Sequence, residues 1–238
     1  MAHGKRYRKE LGKVQREREY PPTEAISLIK ETATAGFDET VELHLRLGVN
    51  VRHAEEQLRG TLALPHGLGK DVTIAVFAEG QQARDAEAAG ADFVGGQDLA
   101  EKVQEGWTDF DVAIAVPQMM SKVGKLGRVL GPQGKMPNPK VGTVTMDVGK
   151  AVEEAKAGKV EYRTDRTAIV HLTVGKTSFP ESQLLENYQA VIEELIRAKP
   201  SAAKGKYLRT IIMASTQGPG IKIDPSRTRD LVEAEAAA

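Results

Sequence analysis

The chain has 238 residues, enough for one or two domains with buried cores, and its 33 basic residues balance 33 acidic ones. It contains no cysteine, which excludes disulfides and thiolate metal sites and fits a reducing cytoplasm. No stretch nears the roughly 20 apolar residues of a membrane span, and the N-terminal segment lacks the apolar centre of a secretory signal.

The neutral total hides segregated charge. From Glu79 to Asp111 nine acids stand against two bases. From Val112 to Met146 there are five bases and no acid, and from Leu195 to Ile223 six bases and no acid. A polyanion responds to local fields, so two acid-free basic windows favour a phosphate-rich partner.

The N-terminal segment carries seven bases against Glu10, Glu17 and Glu19. It reads as a cationic arm or a surface helix, and an arm packed loosely until RNA is present is the favoured form. Thr23 is placed to cap a helix carrying Ala25, Ile26, Ile29 and Ala33, ended by Gly36. Val41, Leu43, Leu45 and Leu47 alternate with Glu42, His44 and Arg46, which predicts a half-buried antiparallel strand. Thr61 to Leu64 is a second short strand, and a glycine-rich break follows from Pro65 to Lys70.

Beyond the break the pattern changes. Val72 to Ala78 and Val112 to Val116 are nearly continuous apolar runs, as strands covered on both faces would be. Helices over Gln81 to Ala89 and Leu99 to Gln104, with a short strand at Phe93 and Val94, alternate with them. That order predicts a parallel, doubly wound sheet. Val148 to Ala157 is a last helix, stopped by Gly158. Alternating strands then return at Val160 to Arg163 and Ile169 to Val174. Ser178 to Glu181 has the form of a capping box before an amphipathic helix bearing Leu184, Leu185, Tyr188, Val191, Ile192, Leu195 and Ile196. Tyr207 to Ala214 and Ile221 to Ile223 predict a hairpin around a tight turn, and the Ala/Glu-rich tail from Asp230 is expected to fray.

Few motifs suggest chemistry. Gly175, Lys176 and Thr177 invite a Walker reading, but Val170 stands where that loop needs its first glycine. His3, His44, His53, His66 and His171 show no ligand spacing, so neither a metal nor a cofactor is implied. Phe37 follows Gly36 at a helix–strand junction and by position alone belongs in a core. Thr216 and Gly218 read as turn residues, with Gly218 expected at positive φ. Lys122 to Thr143 holds five bases, five glycines and three prolines. It reads as a stiff loop whose Lys125, Arg128, Lys135 and Lys140 touch phosphates rather than base edges. Aromatic residues make up 5% of the chain, too few for rows of stacking platforms, so folded RNA read by shape is the better fit.

The run KLGRVLGP followed by GKMPNPKVGT resembles the signature of the bacterial large-subunit ribosomal protein L-one family, the mobile stalk protein. The resemblance extends from Glu10 to about Ile223. It implies an α/β protein of two domains: a discontinuous α+β RNA-binding domain from residues 1–66 and 159–238, and an inserted Rossmann-like domain over 67–158. Gly67, Gly69 and Gly158 would be hinges. The implied RNA surface contains Phe37, Thr40, Thr216, Gln217, Gly218 and Pro219, with Arg163, Asp165, Arg166, Thr167, His171, Lys176 and Thr210 nearby. Gln217 departs from the methionine common at its place in relatives. The implied partners are large-subunit ribosomal RNA, exit-site tRNA and other ribosomal components, with the protein a cytoplasmic monomer off the ribosome. The resemblance also leaves room for repression of its own messenger, and it implies no enzymatic activity. Two other readings stand beside it. A nucleotide-binding α/β enzyme would bind nucleotide in a titration, and a charged protein–protein scaffold would lack the steep salt dependence of RNA binding.

Overall fold

The structure is a computed structural model, and it describes residues 4–226. The tail from Asp230 lies outside the described residues. The fold is mixed α/β with several sheets. In chain order the elements are α1 (Lys5–Leu11), α2 (Pro22–Thr32), β1 (Thr40–Leu47), β2 (Arg59–Ala63), β3 (Ile74–Phe77), α3 (Gln81–Ala88), β4 (Phe93–Gly95), α4 (Gln97–Gln104) and β5 (Val112–Ala115). They continue with α5 (Met120–Val123), α6 (Gly127–Leu130), α7 (Val148–Lys156), β6 (Lys159–Arg163), β7 (Ile169–Lys176), α8 (Glu181–Arg197), β8 (Leu208–Ser215) and β9 (Ile221–Ile223). Packing divides the chain into two compact units, one ending at Gly69 and resuming at Val160, the other spanning Lys70–Lys159.

The first unit is organised on β1. Its sheet has the order β7-β1-β8-β9, and every pairing is antiparallel. The period-two alternation of β1 sends Val41, Leu43, Leu45 and Leu47 inward. They join one core with Ala25, Ile26 and Ile29 of α2 and Leu184, Tyr188, Val191, Ile192 and Leu195 of α8. Burying each such leucine contributes about 1.5–3 kcal/mol. Both helices therefore cover one face of the sheet, and the other face stays polar.

Four local expectations change, the first at α2, where Pro21 and not Thr23 holds the cap position. Ile196 is 42% exposed, because it lies a step past the buried stripe of α8. Ser178 does not cap α8; its hydroxyl donates to Asp38 Oδ2 at 2.8 Å, and Pro180 holds the cap position. The N-terminal segment is not a loose arm. It forms α1, and Glu10, Val14 and Tyr20 are buried.

The second unit has a parallel sheet of order β4-β3-β5 and its own core. All four residues of β3 are buried, as its unbroken apolar run requires. Two acids of the window from Glu79 to Asp111 have a structural use. Asp92 accepts the Ile74 N–H at 2.9 Å, and Asp111 accepts the Thr73 N–H at 3.1 Å, so two carboxylates fix the start of β3. The basic stretch is not an open loop either. Much of it is short helical turns, because Met119, Val123, Leu126 and Leu130 recur three or four residues apart and are all buried.

Gly67, Gly69 and Gly158 all take positive φ. Near the first two, the fully buried Asn187 of α8 serves three backbone groups. Its Nδ2 donates to the Gly67 carbonyl at 3.1 Å and the Val174 carbonyl at 2.7 Å, and its Oδ1 accepts the His66 N–H at 3.1 Å. Asn187→Leu keeps the volume and leaves these groups without their partner. It should lower stability by about 1–3 kcal/mol, read as the urea midpoint. An unchanged midpoint would mean that Asn187 carries none of this load.

Candidate nucleic-acid interface

The uncovered face of the first unit's sheet is set by register. Glu42, His44 and Arg46 of β1 point away from the core. His44 lies between His171 of β7 and Ile212 of β8, and Arg46 lies between Ile169 and Thr210. Lys222 of β9 pairs with Ile212 at the far edge. At about 3.3 Å per residue, β1 gives this face a length of roughly 25 Å.

Lys176 would point inward if β7 kept a strict alternation. It does not, because the register slips where Val41 pairs with Gly175 and Glu42 pairs with Thr173. Val174 and Gly175 are both buried, and a Cβ on Gly175 would meet Phe179 at 3.0 Å and Leu184 at 3.1 Å. The bulge turns Lys176 outward, where its ammonium donates to Thr40 Oγ1 at 2.8 Å.

At this end of the sheet two loops are locked together. Glu39 is 1% exposed; its Oε1 accepts the Ala35 N–H at 2.9 Å and its Oε2 the Gln217 N–H at 2.8 Å. Burial pushes its pKa up, but the two backbone donors, helped by Arg6, outweigh that and hold the carboxyl below the ordinary glutamate range. Thr216 accepts the Thr40 N–H at 2.9 Å and donates to the Thr40 carbonyl at 3.3 Å. Asp38 accepts from the Thr177 hydroxyl at 3.0 Å and the Ser178 N–H at 3.0 Å. Between these anchored acids and Gly36, Phe37 is 52% exposed, so its expected place in the core is overturned. Glu39 beside it takes the inward place, while the exposed Asp38 is tied to Thr177 and Ser178, and the ring is left on the surface.

Gly218 also differs from expectation. Its φ is not positive. The constraint is space, since a Cβ there would lie 2.3 Å from Ser215 Oγ. Pro219 beside it is buried, while Thr216 and Gln217 are exposed.

The other end of the sheet carries the β6–β7 turn. Asp165 Oδ1 accepts the Thr167 N–H at 2.8 Å and the Ile169 N–H at 2.7 Å. Burial opposes ionisation, yet the Thr167 and Ile169 donors hold the Asp165 pKa down at about 2. Ala168 sits at φ 62 in this turn. Arg163 and Arg166 join Arg52, Gln57 and Asp165 around an open concavity of about 610 Å³. The expected residues of the first unit thus form two end clusters, with His171 and Thr210 on the strand surface between them.

In the second unit Lys125 and Arg128 are exposed, and each is without a hydrogen bond or ion pair among the described residues. Lys135 is committed elsewhere. Its ammonium donates to the Thr108 carbonyl at 2.9 Å and lies 5.3 Å from the centre of the Phe110 ring. The side chain of Lys140 lies outside the described residues. Lys122 pairs with Glu79 at 3.0 Å. No group of three or more metal-ligating side chains occurs among the described residues.

A model of the ribosomal protein L1p/L10e family matches residues 29–219, from α2 through the Thr216–Pro219 turn. The chain belongs to that family. It is also similar to large ribosomal subunit protein uL1 of Thermobifida fusca (strain YX), with 54% identity over 234 residues that cover 98% of this chain and 100% of the relative. Membership of the L1p/L10e family makes this a ribosomal protein and not an enzyme. Sequence reasoning missed Glu42, His44, Arg46 and Lys222 as members of the L1p/L10e sheet surface. The alternation of β1 carried the signal for the first three, since residues between inward leucines must face outward.

Replacing Glu39 tests the lock. Glu39→Gln puts an amide N–H₂ where a backbone N–H now donates, and should cost about 1–3 kcal/mol at neutral pH. The folded carboxyl has a lowered pKa, so its contribution is present above the ordinary glutamate value and is lost as pH falls through the lowered one. The gap between the two proteins in urea titrations should therefore narrow in acid. A gap independent of pH would show that the charge does not hold the lock.

Proposed function

We propose that this protein is a structural constituent of the large ribosomal subunit that binds a folded region of large-subunit ribosomal RNA through the exposed sheet face of its first unit. The lock of Phe37–Thr40 onto Thr216–Pro219 carries this reading, because it presents a rigid, partly apolar edge beside a polar strand surface. The relative's name, large ribosomal subunit protein, supports the location on the cytoplasmic ribosome. No helix among the described residues is long and apolar enough to cross a membrane.

Phe37 suits a single base or sugar at the edge of the RNA fold, since no other exposed Phe, Tyr or Trp lies on this face among the described residues. The Arg163–Arg166 concavity and Lys176 suit phosphates. Lys125 and Arg128 supply further phosphate contacts from the second unit, while Lys135 is held by its own domain. The reading includes a discontinuous RNA-binding domain of residues 1–66 and 159–238, an inserted Rossmann-like domain of 67–158 and hinge glycines at Gly67, Gly69 and Gly158. It extends to helping deacylated tRNA leave the exit site, and to repression of the protein's own messenger through a similar RNA fold. Off the ribosome the protein is a monomer.

A transcript of the stalk region of large-subunit ribosomal RNA should bind tightly and a scrambled transcript weakly, with affinity falling steeply as salt rises. Equal affinity for both transcripts would overturn the reading. Gly218→Val must move the turn away from Ser215, and it should weaken cognate binding by at least about 1–3 kcal/mol in a folded variant. Unchanged affinity would remove this turn from the interface. Lys125→Ala combined with Arg128→Ala should weaken both transcripts alike and flatten the salt slope by no more than about two units. Loss of discrimination with an intact slope would show that this stretch reads sequence.

A further inference from the structure

His44 and His171 are direct partners in the register of β1 and β7. Their inner Nδ1 atoms lie 2.9 Å apart, and the rings meet edge to face with centroids 5.0 Å apart. Each outer nitrogen faces a carboxylate. Glu42 Oε2 is 3.8 Å from His44 Nε2, and Asp165 Oδ2 is 3.6 Å from His171 Nε2.

Counting protons shows what this chain of contacts lacks. A neutral imidazole carries one N–H. Three places favour a hydrogen: the two outer contacts and the gap between the Nδ1 atoms. Two neutral rings supply only two. Either two lone pairs then face each other across the gap, or one outer lone pair faces a carboxylate. A third proton fills all three places and leaves one positive charge on the pair. A fourth would set two N–H groups head to head, so the pair stops at a single charge.

In the free protein this charge is opposed. Burial and the neighbouring His171 hold the His44 pKa below its ordinary value, with Glu42 pulling the other way. Arg46 on the same face of β1 and Lys222 on β9 are the other cations of this face, while Asp165 from the β6–β7 turn lies beside His171. Strand β8 contributes the uncharged Thr210, Ile212 and Ala214. A phosphate arriving on this face adds negative charge and displaces water, and both strengthen the attraction of a cation.

We propose that the His44–His171 pair takes up one proton when RNA docks on the sheet, and that it thereby becomes a phosphate-binding group charged by its own ligand. The inference rests on the RNA-binding reading above. Proton uptake on binding means that the pKa is higher in the complex than in the free protein. The gain in affinity is therefore fully present below the free value and lost as pH rises through the value in the complex. For one proton the loss approaches about tenfold per pH unit.

The test uses the full chain and the stalk-region transcript from about pH 5 to 8, the range in which histidine titrates. Affinity should fall with rising pH. Calorimetry in two buffers of different ionisation enthalpy should count one proton taken up per complex. His44→Asn and His171→Asn should each abolish both effects, and His53→Asn should keep both. Binding with a flat pH profile and no proton uptake would overturn this inference alone. Uptake that persists in both pair variants would also overturn it, by placing the proton elsewhere. Failure to bind the transcript at any pH would overturn the RNA-binding reading together with this one.

Discussion

Glu39 stands almost out of solvent with a backbone N–H on each carboxylate oxygen, one from Ala35 and one from Gln217. An ionised carboxylate in such a place is tolerable only because both donors are fixed, and the donors are fixed only because the carboxylate is there. Ala35 belongs to the segment that leaves α2, and Gln217 to the turn after β8. One side chain therefore sets the spacing between two loops that the sequence keeps 178 residues apart. Phe37, Thr40 and Thr216 take their positions from that spacing. Asp38 repeats the device toward Thr177 and Ser178, so the same short segment is clamped on both sides.

The sheet beneath is an amphipathic layer in the simplest sense. Inward leucines are packed by two helices, and the outward row is left to a partner. The outward row of β1 on this surface is polar throughout, with Glu42, His44 and Arg46. Its acids are as informative as its bases. Asp38, Glu39 and Asp165 each spend their oxygens on the protein's own N–H and O–H groups. These three negative charges are thus screened by hydrogen bonds made before any RNA arrives, whereas Glu42 keeps its carboxylate on the open face.

Much of this was legible in the sequence. The alternation over Val41 to Leu47, the unbroken run over Val72 to Ala78 and the stripe of α8 each name their environment, because period and burial are tied directly. What could not be read depends on distant partners. Phe37 is exposed because acids beside it find donors far along the chain. The outward turn of Lys176 depends on a one-residue slip, to which Gly175 was the sole local clue. Gly218 was placed in a turn for the wrong reason: crowding by Ser215, not backbone angle, excludes a side chain. The basic stretch misled through its glycines. Four apolar residues at helical spacing outweigh their low propensity once a core is available to receive them.

The position of β1 has a consequence in time. It is the second of four strands across its sheet, yet both of its neighbours, β7 and β8, come from the last third of the chain. Val41 pairs with Ser215, so at 5–20 residues per second β1 emerges roughly ten to thirty seconds before its pairing can be completed. During that interval its edges stay open, and its apolar stripe has α2 beside it but must wait for α8. Lys70–Lys159, contiguous in sequence and possessing its own core, needs no such wait. Synthesis on the ribosome therefore favours the middle of this protein folding first, with the surface proposed to hold RNA completed last.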